Sequence, residues 1–292
     1  MADSVIIAVA SGKGGTGKTT VATSLALSIA DQELRFLDCD VEEPNAALFL
    51  KPNLDHREEV GVLIPEVDYD RCTFCGRCAQ VCTWHAIAVV SRKVLIFPEL
   101  CHGCGSCTLN CPEEAIREVL YVTGVLESGW ADPIRFGQGT LNVGEAMAGP
   151  VIRQLKAKYI AKGGNCVTIL DAPPGTSCLV VETMRGADFV LLVTEPTPFG
   201  LHDLRLAVQV ARDELGVPVG VVVNRDGIGD AGVDRYCAAE RLPILMRIPH
   251  DRRIAEAISE GRVLVEALPE YRPRFRELYE QIKELVSRKE GR

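Results

Sequence analysis

Val5-Ile6-Ile7-Ala8-Val9-Ala10-Ser11-Gly12-Lys13-Gly14-Gly15-Thr16-Gly17-Lys18-Thr19-Thr20 holds the transition that decides the fold. Residues 4–10 form an apolar run that reads as a buried strand. A glycine-rich turn follows, and the residues after Lys18 read as a helix. The spacing Gly12-x4-Gly17-Lys18-Thr19, set between strand and helix, is that of a phosphate-binding loop. Glycines let successive backbone N–H groups curl around a phosphate, and the helix N-terminus adds its positive end. The candidate contacts are Gly12, Gly14, Gly15, Thr16, Gly17, Lys18, Thr19 and Thr20. Lys18 is expected to reach the β- and γ-phosphates, and the Thr19 hydroxyl to hold Mg²⁺. ATP or ADP with Mg²⁺ is the ligand this implies.

Outward from the loop, residues 18–30 read as a helix with Val21, Leu25 and Ile29 on one face. Further apolar runs lie at 34–39, 166–170, 189–194, 217–223 and 244–248. Helical stretches at about 145–161, 177–186, 200–214, 231–240 and 250–260 separate them. The alternation predicts an α/β domain, a P-loop NTPase with a mostly parallel sheet and helices on both faces. Residues 273–289 place Phe275, Leu278, Tyr279, Ile282, Leu285 and Val286 at helical spacing. They read as a terminal helix packed on the sheet. An amphipathic membrane anchor is the alternative. Glu277, Glu280 and Glu284 on the polar face argue against it.

The chain has 292 residues, 47% of them hydrophobic, enough for one large domain and a small one. Its net charge of −8 and the lack of a Lys/Arg-rich stripe speak against a general nucleic-acid-binding surface. No stretch reads as a signal peptide or a bilayer span. Twelve cysteines would suit a disulfide framework in a secreted protein. Here they have metal spacing and share the chain with an ATP loop, so a reducing cytoplasm fits better.

Eight of the cysteines fall in two runs, Cys72-x2-Cys75-x2-Cys78-x3-Cys82 and Cys101-x2-Cys104-x2-Cys107-x3-Cys111-Pro112. A shift of 29 residues maps one run onto the other, and Ala86-Ile87 onto Ala115-Ile116. Between them, residues 86–90 and 93–97 read as a hairpin turning at Ser91-Arg92. The repeat resembles the duplicated plan of a bacterial two-cluster ferredoxin. That resemblance implies two 4Fe–4S clusters, with the fourth cysteine of each run crossing to the other cluster. Cys72, Cys75, Cys78 and Cys111 would hold one, and Cys82, Cys101, Cys104 and Cys107 the other. Thr83 stands where the second run has Pro112. A pair of zinc sites would use the same thiolates. Eight cysteines at this spacing favour iron–sulfur. His85 and His102 lie beside the runs as loop residues, not ligands. Cys39 and Cys166 read as buried small hydrophobes, and Cys178 follows a switch-like loop, with nothing nearby in the sequence that marks it as reactive. The expected division is an ATPase domain of residues 1–65 and 120–292, interrupted by a ferredoxin-like α+β insertion at 66–119.

Lys13 gives the loop a second lysine near its start, Lys-Gly-Gly-Thr-Gly-Lys-Thr. In this the chain resembles the deviant Walker-A ATPases, the class of MinD, the partition (ParA) ATPases, the Mrp cluster carriers and the nitrogenase iron protein. The nearest group is the MinD-superfamily ATPases with an inserted ferredoxin domain. The resemblance implies two subunits that sandwich nucleotides face to face, with Lys13 crossing to the partner's phosphates. Phe36-Leu37-Asp38-Cys39-Asp40 resembles switch I, which implies that Asp40 positions the attacking water and Asp38 lies near Mg²⁺. Asp171-Ala172-Pro173-Pro174-Gly175 resembles Walker B with switch II. Asp171 would hold a Mg²⁺-bound water, and the Gly175 N–H would face the γ-phosphate. Asn224 and Pro249 match the residues that contact adenine. The C-terminal Cys-x-x-Cys of Mrp-type carriers is absent, as is a counterpart of the cluster shared across the nitrogenase iron-protein interface.

The leading expectation is a slow, partner- or dimer-stimulated ATPase. Its dimerisation, with an identical chain or a paralogue, gates electron delivery or cluster handling for a partner metalloprotein docked at the insertion. A second expectation is an ATP-driven low-potential reductase. A third is a positioning or scaffold ATPase whose clusters are structural or redox-sensing.

Overall fold

Alternate residues of β1 (Val5–Ala10) enter two different cores. Ile7 and Val9 join one, Ala8 and Ala10 the other. Such a strand is apolar on both faces because helices cover both. The computed structural model describes residues 4–160 and 164–290. The remaining strands are β2 (Leu34–Asp38), β3 (Asn53–Val67), β4 (Ile87–Val90), β5 (Lys93–Ile96), β6 (Ile116–Ala131), β7 (Ile134–Leu141), β8 (Val167–Asp171), β9 (Phe189–Thr194), β10 (Val219–Asp226) and β11 (Ile244–Pro249). Nine form one sheet in the order β11-β10-β9-β1-β8-β2-β7-β6-β3. Pairings from β11 through β7 are parallel, and the last two are antiparallel.

The parallel part matches the expected α/β architecture, with element ends moved by a few residues. The helix expected at about 145–161 is Gly149–Tyr159. Residue 161 lies outside the described residues, as do residues 1–3, 291 and 292 of the expected domain spans. The terminal helix Arg272–Glu290 buries Phe275, Leu278, Ile282 and Val286 in the core containing Val21 and Leu25. Each fully buried large apolar side chain contributes roughly 1.5–3 kcal/mol. Arg276 donates to the Ser28 carbonyl at 2.9 Å, meeting an end-of-helix acceptor. The apolar face is occupied by protein, which overturns the anchor alternative. No helix among the described residues is long and apolar enough to cross a membrane.

Three strands were not legible as strands: β3, β6 and β7. The stretch from 46 to 65 holds the helix Ala46–Leu50 and most of the 15-residue β3. β6 and β3 pair from Asn53↔Trp130 to Val67↔Ile116, but β7 pairs with β6 only from Gly124 onward. The outer half of this ribbon therefore leaves the sheet as a two-stranded arm. The ribbon has a register shift at Val60/Gly61, and a Cβ on Gly61 would lie 1.9 Å from the Tyr121 carbonyl oxygen. Only glycine fits that bend. The arm carries residues 68–115, where β4 and β5 form the expected hairpin with Ser91 at φ 54°. A small core of Ile87, Val94, Cys107 and Ile116 lies there.

Candidate functional site

The phosphate loop opens at the C-terminal end of β1, and the helix Lys18–Ser28 starts within it. Gly17 takes φ 91°, and its Cα lies so close to Asn224 that a Cβ would sit 2.3 Å from Nδ2. Asn224, at the end of β10, donates to the Thr16 carbonyl at 2.7 Å. A cleft beside the loop is lined by residues that include Lys13, Lys18, Thr19, Thr20, Asp40, Asn224 and Pro249. Ligands of open parallel sheets bind at this end of the strands.

Three carboxylates gather around one cation. Lys18 Nζ is 3.0 Å from Asp171 Oδ1, with Lys18 8% and Asp171 0% exposed at the side chain. Burial pushes the Lys18 ammonium down, but Asp171 beside it holds the net value above the ordinary lysine range. Burial pushes the Asp40 carboxyl up to about 6, against the pull of Lys18. Asp38 is raised too, by burial and by Asp171. Asp38 accepts N–H bonds from Asp40 (3.1 Å), Asn45 (2.9 Å) and Ala46 (2.9 Å). It ties down the turn that displays Asp40 and stands behind the cleft wall, not in it.

Two buried polar atoms at the loop, Thr16 Oγ1 and Asp171 Oδ2, have no hydrogen-bond partner among the described residues. Each such orphan costs roughly 1–3 kcal/mol, so the site fits a nucleotide and a cation that would satisfy them. The Gly175 N–H, expected to face the γ-phosphate, instead donates to the Ser11 carbonyl at 3.0 Å. Gly175 sits at φ 96°, a conformation from which glycine can turn freely.

Lys13, expected to cross to a partner, is held within its own chain. Its Nζ lies 2.5 Å from Glu195 Oε1, while Arg225 reaches Oε2 at 3.1 Å. Burial alone would raise the Glu195 carboxyl, but Lys13 and Arg225 hold it below the ordinary range. Glu195 and Arg225 were missed in the sequence. The only signal was their position just after the ends of apolar runs.

The eight run cysteines separate into two cavities on the arm. Cys72, Cys75, Cys78 and Cys111 line the first. Cys82, Cys101, Cys104 and Cys107 line the second. The Ala86 N–H donates to Cys82 Sγ and the Ala115 N–H to Cys111 Sγ, both at 3.3 Å, one repeat apart. Donors aimed at sulfur suit thiolate ligands. Among the described residues, no three Cys, His, Asp or Glu side chains are grouped as a single metal ion would need. A zinc ion requires sulfurs each about 2.3 Å away. His102 lines the second cavity, and His85 lines neither. Cys39, Cys166 and Cys237 are buried, and Cys178 is exposed.

Fold and loop together define a P-loop nucleotide-binding protein. The chain belongs to the CobQ/CobB/MinD/ParA nucleotide binding domain family, whose model matches residues 7–265. It is 31% identical over 264 residues to the uncharacterized protein MJ0579 of Methanocaldococcus jannaschii, spanning 89% of this chain and 91% of that one. It is 25% identical over 288 residues to the cytosolic Fe-S cluster assembly factor Nubp2 homolog of Anopheles gambiae, spanning 91% and 90%. The septum site-determining protein MinD complexed with Mg-ADP from Pyrococcus horikoshii shares the fold, with a TM-score of 0.56 and 20% identity over 97% of both chains.

The raised carboxyls give a pH test. Their folded-state pKa values stand above the unfolded one, so the cation-free fold loses stability as pH rises through about 6. A bound cation offsets that loss. Stabilisation by MgADP is expected to be larger at about pH 7.5 than at about pH 5.5, read as the shift in thermal unfolding midpoint. An equal shift at both values would remove Asp38 and Asp40 from the cation's surroundings.

Proposed function

We propose that this chain is a cytoplasmic ATPase in which a nucleotide-switched dimer gates electron delivery or cluster handling for a partner metalloprotein. The ATPase unit comprises residues 1–65 and 120–292, and residues 66–119 form a ferredoxin-like unit holding two 4Fe–4S clusters. Such clusters supply one-electron transfer at potentials tuned by hydrogen bonds and exposure. Cys72, Cys75, Cys78 and Cys111 would hold one, and Cys82, Cys101, Cys104 and Cys107 the other.

One observation carries the coupling: the loop that displays Asp40 is bonded to the base of the arm. Leu141 donates its N–H to the Val41 carbonyl at 2.8 Å, and Asn142 donates to the Thr123 carbonyl at 2.9 Å. The Tyr121 hydroxyl donates to Glu145 at 3.0 Å, and Gln154 Nε2 to the Gly61 carbonyl at 2.8 Å. A turn beside the γ-phosphate thus shares one hydrogen-bonded frame with the strands that carry the cysteines. Hydrolysis would remove the γ-phosphate contacts and release that turn.

In this reading Lys18 and Thr19 hold phosphates and Mg²⁺, and Asp40 aligns the attacking water. Positioning and electrostatics dominate phosphoryl transfer. Lys13 leaves Glu195 when a second subunit presents its phosphates. The name of the Nubp2 relative supports the cluster-handling version.

The deciding experiment is potentiometry of the anaerobically reconstituted protein with no nucleotide, with MgADP and with a non-hydrolysable MgATP analogue. A shift with the ATP analogue establishes coupling. No shift severs the electronic link to the nucleotide and leaves cluster handling or a structural insertion. Tyr121→Phe removes one bond at the base of the arm. It is expected to retain iron and ATP turnover while reducing the nucleotide-induced shift by about half, if coupling is spread over several bonds.

A further inference from the structure

The internal repeat allows the two cysteine cavities to be compared position by position. Each takes one rim residue just after the first cysteine of one run and another two positions beyond the last cysteine of the other run. In the first cavity these are Thr73 and Glu113. In the second they are His102 and Trp84. The repeat is broken at both positions, and in the same direction, from polar to aromatic.

The aromatic pair is ordered and exposed. The Trp84 and His102 rings stack with centroids 3.7 Å apart and planes 15° apart. Trp84 is 49% exposed. On the adjoining arm Leu63 and Leu120 face each other across β3 and β6, and they are 48% and 50% exposed. An apolar surface of this kind beside a buried redox-type site is a contact surface in search of a partner.

Charge identifies that partner. Arg77 lines the first cavity, whereas no Lys or Arg lines the second among the described residues. Glu118 lines the second cavity, and Glu99 lies exposed two residues before Cys101. Neither carboxylate forms an ion pair among the described residues. An apolar centre with unpaired carboxylates is complementary to a protein with an apolar patch ringed by lysine or arginine.

We propose that the Trp84–His102 rim is the docking surface for a basic one-electron carrier protein, so that electrons pass through the second cavity and not the first. This rests on the iron–sulfur reading given above. One electron moves between the cluster held there and the carrier's centre. One is oxidised as the other is reduced, no bond breaks and no proton is needed. The first cluster is then the side that exchanges electrons with the second.

The test uses the full reconstituted chain and ferricytochrome c, a haem protein with a lysine-rimmed haem edge, as probe. Iron content is measured first. The affinity of the oxidised chain for ferricytochrome c is then read by calorimetry at low and high salt, and the electron-transfer rate by stopped flow after reduction. Trp84→Ala is expected to weaken binding at least about tenfold. Glu113→Gln, at the repeat-related position, is expected to change it less than about twofold. Affinity should fall steeply with salt. Leu120→Ser lies outside both cavity linings and gives the same readout if Trp84→Ala fails to retain iron. Equal losses in the Trp84 and Glu113 variants, no loss in either Trp84→Ala or Leu120→Ser, or salt-independent binding would overturn the proposal. A wild-type chain that takes up no iron would instead sink the iron–sulfur reading, and this surface with it.

Discussion

Lys18→Ala is expected to abolish ATP turnover and, separately, to destabilise the fold. Turnover should fall by roughly 10²–10³-fold or more, the range for losing one charged group that meets transition-state charge. The stability loss has a different origin. Lys18 is the cation 3.0 Å from a fully buried Asp171, with Asp38 and Asp40 close behind. Removing it leaves three buried carboxyls with no positive partner among the described residues, and breaking a buried pair costs about 3–5 kcal/mol. The two effects separate in a double variant. Lys18→Ala with Asp171→Asn removes the uncompensated charge, so most of the stability should return while turnover stays lost. Denaturant melts and a phosphate-release assay on the three proteins decide the matter. If turnover recovered along with stability, Lys18 would be a structural counter-ion and not the phosphate ligand. Lys13→Ala makes a useful contrast. Lys13 is 33% exposed at the side chain and, among the described residues, forms an ion pair only with Glu195. Its loss should spare the melt and nucleotide binding by the monomer, yet abolish turnover that depends on a second subunit.

How much of this was legible in the residues depends on what kind of signal each position carried. The strands β1, β2, β8, β9 and β10 are mostly buried and read as apolar runs, as does the half-buried edge strand β11. The loop residues announce themselves by spacing. β3 did not read as a strand because its first half, Asn53-Leu54-Asp55-His56-Arg57-Glu58-Glu59, lies at a sheet edge and is mostly exposed. Edge strands carry charge to discourage further pairing, which erases the apolar pattern. β7 holds Gly137 and Gly139 where the Tyr159 and Val151 side chains approach closely, and glycines lower the strand signal. Its Phe136 nevertheless stacks on Phe36 with centroids 5.9 Å apart, joining β7 to the parallel sheet. Glu195 was invisible for another reason. A carboxylate that clamps a lysine 182 residues away leaves no local mark. The cysteine spacing points to metal-binding chemistry, but the arm that carries the two runs comes from the pairing of β3 with β6 and could not be read from the runs themselves.

Single cysteine substitutions should then report which run serves which cavity. In the crosswise arrangement, Cys111→Ser depletes the first cavity and Cys82→Ser the second, so each variant should drop from about eight iron atoms per chain to about four. Iron counts alone cannot separate this from a sequential arrangement, because both variants lose half in either case. The chain supplies a position-specific reporter. Its two tryptophans are Trp84, lining the second cavity, and Trp130, on the exposed end of β6 beneath Arg135. With Trp130→Phe in the background, Trp84 is the sole emitter. A cluster absorbs strongly, and one bound in the second cavity would be the one beside Trp84, so its loading should quench the fluorescence several-fold. Crosswise ligation requires that Cys82→Ser restore the emission and that Cys111→Ser leave it quenched. Sequential ligation requires the reverse. The structure favours the first outcome on geometry, because Cys82 lines the cavity of Cys101, Cys104 and Cys107, one repeat away from its own run. Restoration by Cys111→Ser alone would show that the fourth cysteine stays with its neighbours, and the cysteine assignments proposed for both sites would have to be exchanged.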